Sequence, residues 1–245
     1  MIEAVILYST NDYRFFNTCI ENLIQCGIRC HIVTYSHMWN GDTENKDLLS
    51  QSISAFSHSE LVSFYSIDWQ PGQSPWYWEA VGRHLATNNV SDASEHILYI
   101  DIDEIINVDE FNRWIESGEH KNLDCIKLAG YWYWREPVYR SGPEYNTVMT
   151  RTNLAKQLPL IPGGREPYFT CSANQYYTDI NYPLLDHYSW VRTKEQMLAK
   201  VKNWGHAQDR TDWIHNVEEE FSRPFNGKTF INEYAFETVD NKYNL

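Results

Sequence analysis

The sequence predicts an α/β fold built on a mostly parallel sheet, and three observations carry that reading. Short apolar runs of buried-strand type alternate with amphipathic helical stretches through the first half of the chain. At 245 residues the chain is long enough to bury a sizeable core. One strand run also ends in a cluster of acidic residues, at the edge where open α/β sheets bind their ligands.

The elements follow in order. Residues 4–8 (AVILY) read as the first strand, and Ser9, Thr10, Asn11 and Asp12 after it are all N-cap types. A helix then places Phe15, Phe16, Cys19, Ile20, Leu23 and Ile24 on one face and stops at Gly27. Residues 30–35 (CHIVTY) complete a β-α-β unit, which implies a right-handed parallel crossover. A weakly helical stretch at 48–56 and a strand at 61–67 come next. Pro75 opens a helix carrying Tyr77, Ala80, Val81, His84 and Leu85. Residues 96–100 (HILYI) are a fourth strand that runs into Asp101-Ile102-Asp103-Glu104, and Asp109 is placed as the cap of a short helix ending at Gly118. Past the aromatic strand 125–134 the pattern changes. Residues 135–183 hold most of the remaining prolines and the Gly163-Gly164 pair, and read as loops and short antiparallel strands. One helix, 193–204, sets Met197, Leu198, Val201 and Trp204 on one face. The economical organisation is one domain over 1–245, with an irregular C-terminal extension.

Composition narrows the function. The 20 Lys+Arg against 33 Asp+Glu give a net charge of −13, which argues against a surface that grips nucleic acid. No stretch approaches the ~20 apolar residues of a membrane span. The start lacks the pattern of a signal peptide, and the five cysteines are scattered, so a soluble, cytoplasmic protein with reduced thiols is expected. No G-x-S-x-G elbow, G-x-G-x-x-G turn or P-loop occurs.

The strongest chemical signal is Asp101-x-Asp103-Glu104. Carboxylates crowded at a strand end repel unless a hard cation or protons neutralise them. A divalent metal carrying a phosphorylated substrate suits such a site, since Mg²⁺ and Mn²⁺ take one or two carboxylates plus phosphate oxygens and water. The plain alternative is an acidic, solvated strand end that caps the next helix. Tyr131-Trp132-Tyr133-Trp134 and Trp76-Tyr77-Trp78 supply aromatic surface of the kind on which sugar rings stack. Alternation puts Trp132 and Trp134 on one face and the tyrosines on the other; one pair belongs to the core, and Trp132 and Trp134 are carried forward as acceptor-binding candidates.

An N-terminal β-α-β half feeding into HILYIDIDEII resembles a GT-A glycosyltransferase with its DxD motif, of the family 2-like kind. The likeness covers residues 1–135, the nucleotide-sugar-binding half; 136–245, matched only in outline, would form the acceptor side and complete the metal site. The resemblance implies a Rossmann-like fold and transfer of a sugar, with inversion, from a UDP- or GDP-sugar to a hydroxyl on a glycan or other acceptor. By the same resemblance Asp101 meets the ribose or the metal, Asp103 binds the metal, and Glu104 is a nearby acid. His187, in HYSWVRTKEQMLAKVKNWGH, would complete the site, and an imidazole ligand favours Mn²⁺ over Mg²⁺. Tyr8, Ser9, Thr10 and Asn11 would hold the donor's base. Arg83 could reach a phosphate, and Arg192, Lys194 and Lys200 could neutralise the diphosphate. An inverting transfer needs a carboxylate base, for which Glu166, Asp186 and Glu136 are the candidates. The ED and QxxRW signatures of processive family 2 enzymes are missing, which leaves the base open. A HAD-like DxD phosphatase and a non-catalytic nucleotide- or glycan-binding module of GT-A shape are the rival readings.

Overall fold

In the computed structural model, which describes residues 1–203, 210–231 and 234–245, the first strand β1 (Ile2–Tyr8) is buried along almost its whole length. It is followed by α1 (Tyr13–Gln25), β2 (Arg29–Tyr35), α2 (Lys46–Phe56), β3 (Val62–Ile67), α3 (Pro75–Asn89) and β4 (His96–Tyr99). After Asp101-Ile102-Asp103 come β5 (Glu104–Ile106), which starts on the third acidic residue, α4 (Val108–Ser117), β6 (Cys125–Trp134), β7 (Tyr139–Arg151), α5 (Thr152–Ala155) and α6 (Glu166–Thr170). The chain continues with β8 (Gln175–Tyr177), β9 (Leu185–Trp190), α7 (Lys194–Asn203), α8 (Trp213–Glu220) and β10 (Phe236–Thr238). Trp204, placed on the last predicted helix, lies outside the described residues. Among the described residues no helix is long and apolar enough to cross a membrane.

The sheet runs in the order β3-β2-β1-β4-β7-β6-β9-β5, with β8 beside β6 and β10 beside β7. β3, β2, β1 and β4 are parallel, as the β-α-β alternation requires. β7 then enters antiparallel between β4 and β6, and β9 returns parallel to β6. Two corrections belong here. The stretch expected to be loops and short strands contains the 13-residue β7, which carries Gly142-Pro143 where its pairing with β6 is interrupted by bulges. The helix assigned to an Asp109 cap begins earlier, with Asn107 as its N-cap and Asp109 in the first turn.

Each face of the sheet is covered for a reason visible in the sequence. α1 buries Phe15, Phe16, Cys19, Ile20 and Leu23 against one face, each large side chain stabilising by about 1.5–3 kcal/mol. α3 covers the other face, started by Ser74, which accepts from the Tyr77 amide, with Pro75 at its first position. Its inward face is partly polar: Glu79, Arg83 and Thr87 are buried with Trp78 and Ala86. A third, aromatic core joins Trp132 and Trp134 of β6 to Trp190, Met197, Val201, Trp213 and Val217.

α3 lies so close to β1 and β2 that a Cβ at Gly82 would stand 1.9 Å from the Tyr35 hydroxyl and 2.8 Å from a Leu7 methyl. Gly82→Ala gains about 0.5–1 kcal/mol of helix propensity, but overpacking costs about 1–3 kcal/mol. A net loss of stability is therefore expected in urea unfolding; a variant more stable than wild type would contradict this packing.

Candidate active site

The site is assembled by register. β5 pairs with β9 so that Glu104 stands opposite His187, and β6 pairs with β9 so that Trp132 stands opposite the same residue. The Asp103 carbonyl also accepts from the Tyr188 amide at 2.7 Å. Three chain segments far apart in sequence thus fix the acidic strand end beside His187. The result is a cavity of about 260 Å³ at the carboxyl ends of β1, β2 and β4, lined among others by Ser9, Asn11, Asp101, Asp103 and His187.

Its electrostatics depend on four cations interleaved with carboxylates. Arg165 bonds Glu104 through both guanidinium arms and lies 3.5 Å from Asp101. Arg83 pairs with Glu79 one turn earlier on α3 and approaches Asp101 at 3.7 Å. Arg192 reaches Asp12 and the Asn11 carbonyl, and donates to Asp103 Oδ2 at 3.2 Å. Lys200 of α7 donates to the same oxygen at 3.1 Å. Burial alone would raise the Asp103 carboxyl, but Lys200, His187 and Arg192 reverse this and hold it well below the usual carboxylate range. The other Asp103 oxygen faces His187 Nε2 at 3.7 Å. Burial opposes charging of His187, yet the Glu144, Glu104 and Asp103 carboxylates outweigh it and raise its pKa. Glu144 lies 3.7 Å from His187 Nδ1 and is itself held by the Tyr234 hydroxyl at 2.9 Å and by Asn146.

Most of the residues singled out in the sequence meet in this cavity. Tyr8, Ser9, Asn11, Arg83, Asp101, Asp103, His187 and Lys200 line it. Thr10 does not; its amide and hydroxyl donate to Glu44, which does. The second Glu44 oxygen is buried without a hydrogen-bond partner among the described residues. Arg192 supports the wall through Asp103, whereas Lys194 pairs with Glu218 instead.

Four expectations are corrected. Trp132 and Trp134 are 3% and 0% exposed and belong to the aromatic core, so neither presents a face to an acceptor. Asp186 alternates away from His187 along β9, and its carboxylate accepts from the Tyr133 and Tyr243 hydroxyls, each at 2.9 Å. Glu166 is exposed, pairs with Lys127 at 2.8 Å and does not line the cavity. Its neighbour Arg165 is the residue of that glycine-rich loop that enters the site, after Gly163 and Gly164 turn the chain with positive φ. Trp76, from the Trp76-Tyr77-Trp78 run singled out in the sequence, lines it too, and Trp39, Glu44 and Glu79 are further lining residues that the sequence pattern did not point to. Glu79 was open to detection, because it sits four residues before Arg83 on the same helix face.

No protein-family model and no curated protein matches this sequence. Solved structures do. Staphylococcus aureus TarS 1–349 superposes with a TM-score of 0.53 at 13% identity, covering 91% of this chain and 72% of that one. TarS 1–349 in complex with UDP gives 0.53 at 10% identity, with the same coverage. TarS 1–349 in complex with UDP-GlcNAc gives 0.52 at 12% identity, covering 91% and 73%. The likeness is one of fold: the mixed α/β arrangement with a mostly parallel, helix-flanked sheet that the GT-A resemblance implies.

The Arg165–Glu104 pair gives this architecture a direct test. Glu104 is fully buried, so Arg165→Met strands a carboxylate and should cost about 3–5 kcal/mol in urea unfolding. Adding Glu104→Gln should recover much of that loss; a double variant as unstable as the sum of the singles would show that the two residues act independently.

Proposed function

We propose that this protein is a glycosyltransferase that moves a sugar from a nucleotide-sugar, a UDP-sugar before a GDP-sugar, to an acceptor hydroxyl. One observation carries the reading. A single cavity at the carboxyl ends of parallel strands combines Asp101, Asp103 and His187 with the cations Arg83, Arg165 and Lys200. That set suits a diphosphate and a divalent metal together better than either alone. The complexes of TarS with UDP and with UDP-GlcNAc, on the same fold, support the choice of a uridine donor.

The residues fit a divalent cation, Mn²⁺ before Mg²⁺, in a limited way. Asp103 Oδ1 and His187 Nε2, 3.7 Å apart, are close enough that both could serve as ligands of one ion. Among the described residues no three His, Cys, Asp or Glu side chains converge on one point. The remaining positions would fall to diphosphate oxygens and water, as is usual for hard cations at phosphate sites. Bound there, the cation would offset the charge that develops on the leaving diphosphate.

The chain's own residues do the positioning. Arg83 and Arg165 offer planar forks that match phosphate oxygens, and Lys200 adds a compact charge beside Asp103. Each is already held by a carboxylate, so donor binding need not order them first. Ser9 and Asn11 at the end of β1 would receive the nucleoside, with Glu44 behind them. Glu166 and Asp186 lie outside the cavity lining and are held by Lys127 and by the Tyr133 and Tyr243 hydroxyls, which speaks against either as the base.

Thermal unfolding with UDP, GDP, CDP and dTDP, each with and without Mn²⁺, tests the reading. One nucleotide at about 100 times its Kd should stabilise the wild type by ~2.7 kcal/mol, worth a few degrees in a chain of this size. Asp103→Asn should lose the metal-dependent part of that shift. If no nucleotide moves the wild-type transition, the glycosyltransferase reading is wrong.

A further inference from the structure

His37, just past the end of β2, lines the cavity beside Met38 and Trp39. Its ring is tied to a small hydrogen-bond cluster centred on one atom, Ser36 Oγ. That oxygen donates to Asp68 Oδ1 at 3.0 Å, accepts from the Trp69 amide at 2.9 Å and lies 3.0 Å from His37 Nδ1. A hydroxyl has one proton to give and two lone pairs to fill. A carboxylate only accepts, so the serine proton goes to Asp68. The Trp69 amide fills one lone pair, and the other is left for His37. The network thus assigns a proton to Nδ1, which donates to Ser36. In the neutral imidazole Nε2 is then a bare acceptor.

Nε2 has no hydrogen-bond partner among the described residues, and it is not one of the unpartnered polar atoms sealed from solvent. His37 as a whole is half-buried, with its ring centre 5.5 Å from that of Trp69. The ring nitrogen left to a ligand is therefore a fixed acceptor that keeps accessible surface. Asn11 lines the same cavity, and its side-chain N–H rests on the Met38 thioether at 3.6 Å. Sulfur is a weak acceptor, so this donor is open to a better one. The wall offers an acceptor from the end of β2 and a donor from the end of β1, neighbours through Met38.

Their position suggests what they read. The carboxylates and their cations gather at the end of β4, and β1 lies between β4 and β2. Two strand spacings, about 9–10 Å, therefore separate β2 from β4 across the sheet. A nucleotide can span such a gap, with its diphosphate among the cations and its base beside His37. Bases are told apart by the order of donors and acceptors along their edges. Uracil presents its C4 carbonyl beside N3–H, the complement of the Asn11 donor and the His37 acceptor. Cytosine presents an amino group beside a bare N3, which would set acceptor against acceptor and donor against donor.

We propose that His37 is a specificity-determining residue for the donor's base: its Nε2 accepts from N3–H of uracil and so selects uridine over cytidine nucleotides. This rests on the nucleotide-sugar reading and deepens it, since the reading by itself names no residue that tells one pyrimidine from another.

The test is calorimetric titration at slightly alkaline pH, with Mn²⁺ present, using UDP, CDP, GDP and N3-methyl-UDP, which keeps the uracil carbonyls and lacks the N–H. Wild type should bind UDP about tenfold or more tightly than CDP or N3-methyl-UDP. His37→Ala should weaken UDP until it matches those two within about threefold, and leave CDP near its wild-type affinity. A residue that only shaped the loop would weaken all of them together. Retained CDP binding shows that the variant is folded. Ser36→Ala, which keeps the ring and removes the acceptor of the Nδ1 proton, should narrow the uridine preference as well. If UDP binds but His37→Ala lowers every nucleotide alike or keeps the full preference, the role of His37 is overturned while the nucleotide reading stands. Wild type that binds N3-methyl-UDP as tightly as UDP, or that prefers CDP or GDP, overturns it in the same way without any variant. If no nucleotide binds wild type, the nucleotide reading falls and takes this role with it.

Discussion

Neutralising three carboxylates within four residues of one strand end is the constraint around which this molecule is organised. Asp101, Asp103 and Glu104 follow β4 with little room to separate, and Asp103 and Glu104 are almost wholly withdrawn from water. Isolated ionised groups in that position would be prohibitively costly, so charge must be brought to them. It comes from four parts of the chain: Arg83 from α3, Arg165 from the glycine loop, Arg192 after β9 and Lys200 from α7. Much of the C-terminal half can be understood as the scaffold that delivers three of those four cations. Glu104 shows the division of labour, since it takes both arms of Arg165 and the Asp101 amide and so rigidifies the turn, leaving Asp101 the more exposed and available member.

The legibility of this arrangement in the sequence follows the range of the interactions. The parallel half could be read because strand, cap and helix signals are local. The apolar spacing in α1 and the Ser74-Pro75 start of α3 appear in the structure as expected. The cluster at 101–104 was equally plain, and β9 brings His187 to it. What lay hidden depends on pairing. β7 carries Gly142 and Pro143, whose turn-like character masks a strand that is bulged rather than broken. Asp186 and His187 are adjacent, and only the register of β9 decides which faces the cavity. In the glycine loop, Glu166 and Arg165 compete in the same way, and the helix start at Glu166 turns one outward and the other in.

Tryptophan-rich segments illustrate why composition alone misleads. Trp132 and Trp134 form one side of an aromatic core that ties β6 to α7 and α8, with Trp134 donating to the buried Glu220 at 3.1 Å. Trp39 and Trp69 lie in less crowded sequence surroundings yet line an open cavity. An aromatic run on a central strand is packed from both sides, whereas an isolated tryptophan in a strand-to-helix connection has only one side to cover. The same core also positions α7, and through it Lys200, so packing and charge delivery are parts of one arrangement.

The pairing of Glu104 with His187 joins residues 83 positions apart. Contacts of that span form after local ones, because loop-closure entropy must be met before they contribute. The parallel half can therefore gather its strands while the acidic end of β4 still lacks three of its four counter-charges. A chain at that stage carries a self-repelling, solvent-seeking tip in place of a binding site. Ligand competence would arise late in folding, together with the docking of β9 and α7 that brings His187, Arg192 and Lys200 to the acidic strand end.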